Sequence, residues 1–460
     1  MQKKKAVVRA DRAPRIRLAS DVRHFAGIVS AVADARGVAS YLVGGLVRDL
    51  SLGGTNDDLD ILIEGPAIEI AREVARRTGG RCVEHEHFAT ATVLIPEVSP
   101  RRPSAGGALV RKIDLASART ETYPAPAALP LVKQATITED LFRRDFTINA
   151  MAIRLPVRGR AGIIDPFHGV DDLRLKRIRV LHAASFIDDP TRIFRAARFA
   201  SRFGFKIESQ TARLIRSALH KKILGKLQPD RLRNEVLLIM NEKDPFACLK
   251  ILEDLGVLAV MSRRLRCTPQ MKKTFTQLQN LAGSPLFAGF KKRLPDYRLL
   301  YIMALLHGLD RRTVAMLRYR LKLRASDEAL LADVERSGRD TLMVLSAPGR
   351  SSRSQVFRCL SPYPPEFAVL MLVTASSTRA KKRIRGYLER DFSARLAITG
   401  SDLALLGLKP GPCYKKILSA LLDAKIDRVC TTRADELRFA RRLIKISCGP
   451  LQKGGTYGVQ

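Results

Sequence analysis

The sequence predicts an α+β domain followed by an all-helical remainder. Two observations carry this reading. Apolar runs of strand and helix character alternate up to about Leu155, whereas from Asp171 onward strand signals nearly vanish and helical spacing takes over.

Taken in order, a basic arm precedes a helix over Ser20–Arg36, whose apolar positions Val22, Phe25, Ile28, Val29 and Val32 share one face. A strand at Tyr41–Val43 breaks at Gly44–Gly45 and gives way to a short helix at Val47–Leu52. The apolar run Leu59–Ile63 reads as a strand and Ala67–Thr78 as an amphipathic helix. Strands are expected at Ala89–Ile95 and Leu109–Ala116, joined by the Pro/Gly/Ser/Arg-rich loop "PEVSPRRPSAGGA". Beyond Asp171, "TRIFRAARFASRFGF", "DRLRNEVLLIMNE", "YRLLYIMALLHGL", "SDLALLGLKPGPCYKKILSALLDA" and "RADELRFARRLIKI" repeat apolar residues at helical spacing, with basic polar faces. A division of the helical half near Cys267–Lys272 and a loose tail, "LQKGGTYGVQ", complete the outline.

Composition narrows the class of partner. The chain has 460 residues and a formal net charge of +36 spread along its length, a field that attracts a polyanion such as nucleic acid. No apolar stretch approaches the roughly 20 residues that a membrane span requires, so no membrane partner is expected. The basic start lacks the apolar segment of a signal peptide. Seven scattered cysteines without a CxxC pair read as reduced thiols of a cytoplasmic protein rather than a disulfide frame or a zinc site. Trp is absent and aromatics are few, which disfavours broad base-stacking platforms.

The chemistry concentrates in "YLVGGLVRDLSLGGTNDDLDILIEG", Tyr41 to Gly65. Side chains at i and i+2 of a strand share a face, so Asp58 and Asp60 project together. Two adjacent carboxylates repel and need a cation, and Mg²⁺ is the usual partner where oxygen ligands meet phosphates. Gly44 and Gly45 lie just before a helix whose first backbone N–H groups are unpaired, an arrangement that receives phosphate oxygens, and Arg48 adds positive charge. Asp49 could equally fix Arg48 by a local ion pair.

GGLVRD followed by DLD resembles the signature of class II tRNA nucleotidyltransferases and bacterial poly(A) polymerases, a branch of the polymerase-β-like superfamily. Further motifs follow in that family's order. "KIDLASARTETY" resembles its strand and flexible loop, "EDLFRRDFTINAMA" its sugar-recognition motif, "DPFHGVDDL" its hinge and "DDPTRIFRAARFASRFGF" its base-reading helix. The resemblance is strong from about Tyr41 to Phe205, continues through "QPDRLRNE" and returns faintly at "ITGSDLALLGLKPGP". It implies a polymerase-β-like nucleotidyltransferase head over residues 20–155, after a basic arm at 1–19. A helical neck with the base-reading motif would occupy 156–265, and an RNA-binding helical body and tail 266–460.

By that resemblance, Asp58 and Asp60 bind Mg²⁺ while an RNA 3′-hydroxyl attacks the α-phosphate of a nucleoside triphosphate. Asp114 is the candidate third catalytic carboxylate, with pairing to Lys112 or Arg119 as its plainer role. Asp145 and Asn149 orient the ribose and Arg144 holds phosphate, in a motif that also contains Arg143. Asp189 and Arg192 read the base. A carboxylate accepting from an exocyclic amine and a guanidinium donating to a ring nitrogen admit adenine and cytosine and reject guanine and uracil. At i and i+3 the two are expected as neighbours on one helix face, where a surface ion pair is the plainer alternative. The family's tRNA-repair members usually carry Glu-Asp where this chain has Asp188-Asp189. Arg195 and Arg198 would touch base, triphosphate or RNA.

The expected activity is addition of A, CC or CCA to the tRNA 3′ end from ATP and/or CTP, with CC alone least favoured because the loop "ARTETYPAPAALPLVKQ" looks intact. A bacterial poly(A) polymerase is the nearest rival, and an inactive RNA-binding protein the rival of another class. Oligomeric state is left open. His85 and His87 read as a polar strand edge rather than a metal site, and His307 with Asp310 does not make a phosphohydrolase pair. "GLKPGPCYKKIL" fits either an RNA-phosphate contact or a plain helical corner.

Overall fold

A computed structural model describes residues 18–54, 58–96, 112–128, 130–157, 162–287, 290 and 294–447. The expected arm and tail, most of the Pro/Gly/Ser/Arg-rich loop and the first residues of the strand expected from Leu109 lie outside the described residues. The chain separates into two compact units, one ending at Arg266 and the other beginning at Cys267.

The first unit is built on a seven-stranded mixed sheet of β1 (Ser40–Val43), β2 (Leu59–Ile63), β3 (Arg81–His85), β4 (Thr90–Leu94), β5 (Lys112–Ser117), β8 (Ala152–Arg154) and β9 (Ile163–Ile164). Their spatial order is β3-β4-β5-β2-β1-β8-β9. β1 and β2 run antiparallel with Ser40 opposite Ile63, and β2 runs parallel to β5 with Asp60 opposite Asp114. Placing β2 and β1 at the centre explains their largely apolar sequences, because strands covered on both faces do not alternate between apolar and polar residues. Helices α1 (Ser20–Asp34) and α3 (Ala67–Thr78) pack together and against this sheet. α3 buries Ile70, Ala71, Val74 and Ala75 while its Arg and Glu residues face water, as its 3.6-residue period requires.

α2 (Gly45–Ser51) starts two residues earlier than its apolar pattern suggests, because Gly44 at φ +67° turns the chain sharply into it. The segment resembling a flexible loop opens and closes as a hairpin, β6 (Arg119–Thr122) pairing with β7 (Leu131–Gln134). α4 (Ile137–Phe142) begins with a Thr136–Glu139 capping box.

Beyond the sheet come α5 (Gly169–Arg174), α6 (Ser185–Asp188), α7 (Thr191–Phe203), α8 (Ser209–His220), α9 (Pro229–Met240) and α10 (Pro245–Asp254). The expectation of pure helix from Asp171 misses one small exception. Arg177–Ile178 and Lys206–Ile207 form a two-residue parallel ladder, too short to leave a periodic signal.

The second unit contains helices only among its described residues. Their starts follow local chemistry: Thr268, Asp296, Asp310, Ser352 and Ser377 each accept a backbone N–H at a helix N-terminus. Asp310 accepts the Thr313 N–H at 3.1 Å. Pro365–Thr374 is apolar on all sides and buried from Glu366 to Val373. Near the carboxy-terminal side Ile398, Leu403, Ile417, Leu421, Ala440 and Ile444 form a separate core, in which "GLKPGPCYKKIL" makes a corner closed by the Tyr414 hydroxyl on the Leu408 carbonyl at 2.7 Å. Among the described residues no helix is long and apolar enough to cross a membrane.

Candidate active site

Within the first unit a cavity of about 970 Å³ gathers most of the residues singled out above: Gly44, Gly45, Arg48, Asp58, Asp60, Arg144, Asp145, Asn149, Asp189, Arg192, Arg195 and Arg198 all line it. These residues come from segments up to about 150 positions apart, and the sheet edge, the sugar-motif turn and α7 bring them to one wall-lined cleft.

Asp58 and Asp60 stand at the start of β2. Burial pushes the Asp60 carboxyl up to about 6, the charges of Asp114 and Asp58 push the same way, and Arg144 and Lys112 only partly offset them. Asp114 lies directly across the ladder from Asp60 but faces an adjoining cavity of about 290 Å³ that Asp60 also lines. It accepts from Thr92 Oγ1 at 2.6 Å and Lys112 Nζ at 2.9 Å, so the plainer pairing with Lys112 is present and that with Arg119 is not. Lys112 Nζ also sits 3.3 Å from Asp58. Among the described residues no three Asp, Glu, His or Cys side chains converge into a complete ligand set. The residues nonetheless fit a magnesium ion, which commonly takes one or two carboxylates and completes its shell with phosphate oxygens and water. Asp60, whose ionisation its burial and acidic neighbours oppose, and the Lys112 ammonium drawn to Asp58 and Asp114 mark a site that accommodates positive charge.

Gly44 is required by its φ of +67°, and a Cβ there would lie 2.9 Å from Arg144 Nη1, displacing that guanidinium. Arg144 and Arg143 both bind Asp140, which is fully buried; Arg143 Nη2 reaches Oδ1 at 2.6 Å and Arg144 Nη2 reaches Oδ2 at 3.0 Å. Arg143 also donates to Glu121 at 2.8 Å. Asp140 and Glu121 escaped the sequence reading, although the i,i+3 and i,i+4 spacing of Asp140 to the two arginines on α4 and its end was a legible signal.

The segment that resembles the sugar-recognition motif forms a single network. Arg48 donates to Asp49 at 2.8 Å and to the side-chain oxygen Oδ1 of Asn149 at 2.7 Å, so the local ion pair and the cavity position coexist. Asn149 donates to Asp145 at 2.9 Å, and Asp145 receives Arg195 Nη2 at 2.6 Å. Burial alone would raise the Asp145 carboxyl, but the Arg195 charge and the bonds from Asn149 and Arg195 outweigh it and hold it below the usual range. The Arg48 guanidinium lies 5.4 and 4.7 Å from the ring centroids of Phe199 and Phe203, which ties α2 to α7. Arg198, at the cavity wall, pairs with Glu235 at 3.4 Å and Glu242 at 3.1 Å and fastens α7 to α9.

The base-reading pair requires a correction. Asp189 and Arg192 are not neighbours on one helix face, because Asp189 precedes α7 in extended conformation (φ −134°, ψ 95°). Asp189 is followed by Pro190, whose ring disfavours helical geometry in the preceding residue, and that signal was present in the sequence. No ion pair joins the two side chains. Asp189 Oδ1 accepts from Thr191 Oγ1 at 2.6 Å and Arg231 Nη2 at 2.7 Å. Arg192 Nη1 donates to Ser185 Oγ and Nη2 to the Arg143 carbonyl, both at 2.6 Å. Asp188 lies nearest His182 Nδ1, at 3.9 Å. Arg231 also donates to the carbonyl of Ala127, and Ala127 N–H to Ile187 O, each at 3.2 Å, so the segment between β6 and β7 is fastened to α6 and α9. Ser185 and Arg231 were not anticipated.

A family model described as the poly(A) polymerase head domain matches residues 40–179, and one described as a probable RNA- and SrmB-binding site of polymerase A matches 204–266. An A-adding tRNA nucleotidyltransferase of Geobacter sulfurreducens is 35% identical over 409 residues, which cover 88% of this chain and 45% of that protein; the chain thus spans under half of that relative's length. The A-adding tRNA nucleotidyltransferase of Halalkalibacterium halodurans is 33% identical over 87% of this chain and 88% of its own length. The solved structure of a CCA-adding enzyme with ATP superposes with a TM-score of 0.71 at 30% identity, covering 96% of this chain and 97% of that one.

Proposed function

The chain belongs to the family of class II tRNA nucleotidyltransferases and poly(A) polymerases, and from that premise we propose that it adds nucleotides to the 3′ end of tRNA from ATP and/or CTP, without a nucleic-acid template. The observation that carries this reading is the single cavity in which an acidic pair, a ribose-binding network and an acid–guanidinium couple face one another. Two relatives named A-adding enzymes favour the terminal A among the possible products.

In this reading Asp58 and Asp60 hold Mg²⁺, which when bound lowers the pKa of the attacking hydroxyl and steadies the departing phosphate oxygens. The turn at Gly44–Gly45 lets the triphosphate approach the main chain, and Arg144, set by Asp140, faces it. Asp145 and Asn149 present acceptor and donor atoms to the ribose. Asp189 offers Oδ2, which no hydrogen bond engages among the described residues, to an exocyclic amine, and Arg192 donates from its remaining N–H groups to the neighbouring ring nitrogen. Reversing one such bond in a buried site costs about 1–3 kcal/mol, enough for roughly a hundredfold preference. Asp114 shapes the charge of the acidic pair from the adjoining strand. We divide the chain into a head at 20–155, a neck at 156–265 and an RNA-gripping body and tail at 266–460, whose basic helices meet tRNA phosphates. The six described cysteines are free thiols, which suits a cytoplasmic setting.

The test offers purified protein labelled ATP or CTP with tRNAs lacking one or three terminal nucleotides and with an unstructured RNA. Limited addition to tRNA is expected; a long A tail on any RNA would favour the poly(A) polymerase reading that the head-domain match keeps open. Asp60→Ala should abolish incorporation while tRNA affinity stays within a fewfold, and unchanged incorporation would remove the acidic pair from the mechanism.

A further inference from the structure

Arg192 can read a base only if its guanidinium is held at one angle, and the side chain itself has four rotatable bonds with which to lose that angle. Among the described residues its hydrogen bonds go to two acceptors, the Arg143 carbonyl and Ser185 Oγ, each at 2.6 Å. The first is main chain and belongs to the sugar motif. The second is the only side chain in the pair, and it is fully buried at the first residue of α6. Both bonds are taken by the terminal nitrogens, Nη1 and Nη2, so the plane of the fork is defined by two points and cannot swivel about either alone. Asp188, which stands where tRNA-repair members of the resembled family usually carry glutamate, lies 3.9 Å from His182 Nδ1 and makes no bond to Arg192.

We propose that Ser185 is a specificity-determining positioning residue, whose hydroxyl oxygen fixes the orientation of the Arg192 guanidinium toward the incoming nucleobase. The proposal rests on the reading of Arg192 as base reader. Ser185 itself touches no substrate. It acts by removing a rotational freedom from Arg192, so that a guanine or uracil, which presents a donor where adenine and cytosine present an acceptor, meets N–H groups that cannot turn aside. With the hydroxyl gone, the guanidinium keeps its charge and its bond to the Arg143 carbonyl but can rotate about it. Binding of the triphosphate and of tRNA then survives, while the choice of base does not.

The experiment compares Ser185→Ala, Ser185→Thr and Arg192→Ala with the parent protein, measuring kcat/KM for ATP, CTP, GTP and UTP on a tRNA substrate, tRNA affinity and melting temperature. Ser185→Ala is expected to lose about tenfold or more of the preference for ATP and CTP over GTP and UTP, the effect of one hydrogen bond to a charged group. Its tRNA affinity and melting temperature stay near the parent's, and Ser185→Thr, which keeps the hydroxyl, recovers most of the preference. Preference retained within twofold by Ser185→Ala overturns the proposal, as does a loss that comes only with weakened tRNA binding and a lowered melting temperature. Arg192→Ala separates the two failures: if it too retains discrimination, the base-reader assignment falls, whereas if it loses discrimination and Ser185→Ala does not, only the role of Ser185 falls.

Discussion

Replacing Asp60 by asparagine should make the protein more stable and inactive at once. In the folded chain the Asp60 carboxyl is raised from 3.8 to about 6, first by burial and then by Asp114 and Asp58. A carboxyl whose pKa is higher folded than unfolded binds its proton more tightly in the folded state. Its ionisation therefore opposes folding, by an amount that is absent below pH 4, grows between pH 4 and 6 and is complete above that. A shift of roughly two units corresponds to about 3 kcal/mol, and reorganisation around an asparagine amide brings the expected gain to about 2 kcal/mol. For a unit of this size that is a rise in melting temperature of roughly 4–8 °C at pH 8. Calorimetry of the full chain at pH 8 and pH 4.5 checks it, because the advantage of Asp60→Asn should shrink toward zero at the lower pH. Magnesium with ATP should then raise the melting temperature of the parent and not of the variant. A variant that melts at or below the parent at pH 8, or keeps the same advantage at pH 4.5, would refute the claim that Asp60 is held in a charge-starved site.

Three further outcomes follow from the same geometry. Asp140→Ala strips the buried carboxylate from Arg143 and Arg144 and should destabilise the first unit by about 3–5 kcal/mol in urea unfolding, since two guanidiniums are left without it. Gly44→Ala combines a positive φ with a 2.9 Å approach to Arg144 Nη1, so single-turnover incorporation should fall at least tenfold, by roughly 1.4 kcal/mol of strain, while tRNA affinity holds. Filter binding from 50 to 200 mM salt should show tRNA affinity dropping by orders of magnitude, in keeping with a net charge of +36 meeting phosphates.

Much of the molecule was legible in the chain itself, for identifiable reasons. β2 and α3 have the bounds their patterns predict because Leu59–Ile63 is apolar at every position but Asp60 and Ala67–Thr78 has a clean helical period. Glycine at 44, the i,i+2 aspartates and the order of the motifs are local facts, and they brought the residues of the cavity to notice before any fold was known. What depended on tertiary structure was partnership. The order of strands set Asp114 beside Asp60, yet opened it to a second cavity and gave it Thr92. The docking of α6, α7 and α9 on the sugar motif determined that Asp189 is held by Arg231, Arg192 by Ser185, and Asp145 by Arg195. Periodicity reports only which face of an element is buried. It carries no information on which distant donor meets which acceptor, and in this site such hydrogen bonds hold the side chains of Asp145, Asp189 and Arg192.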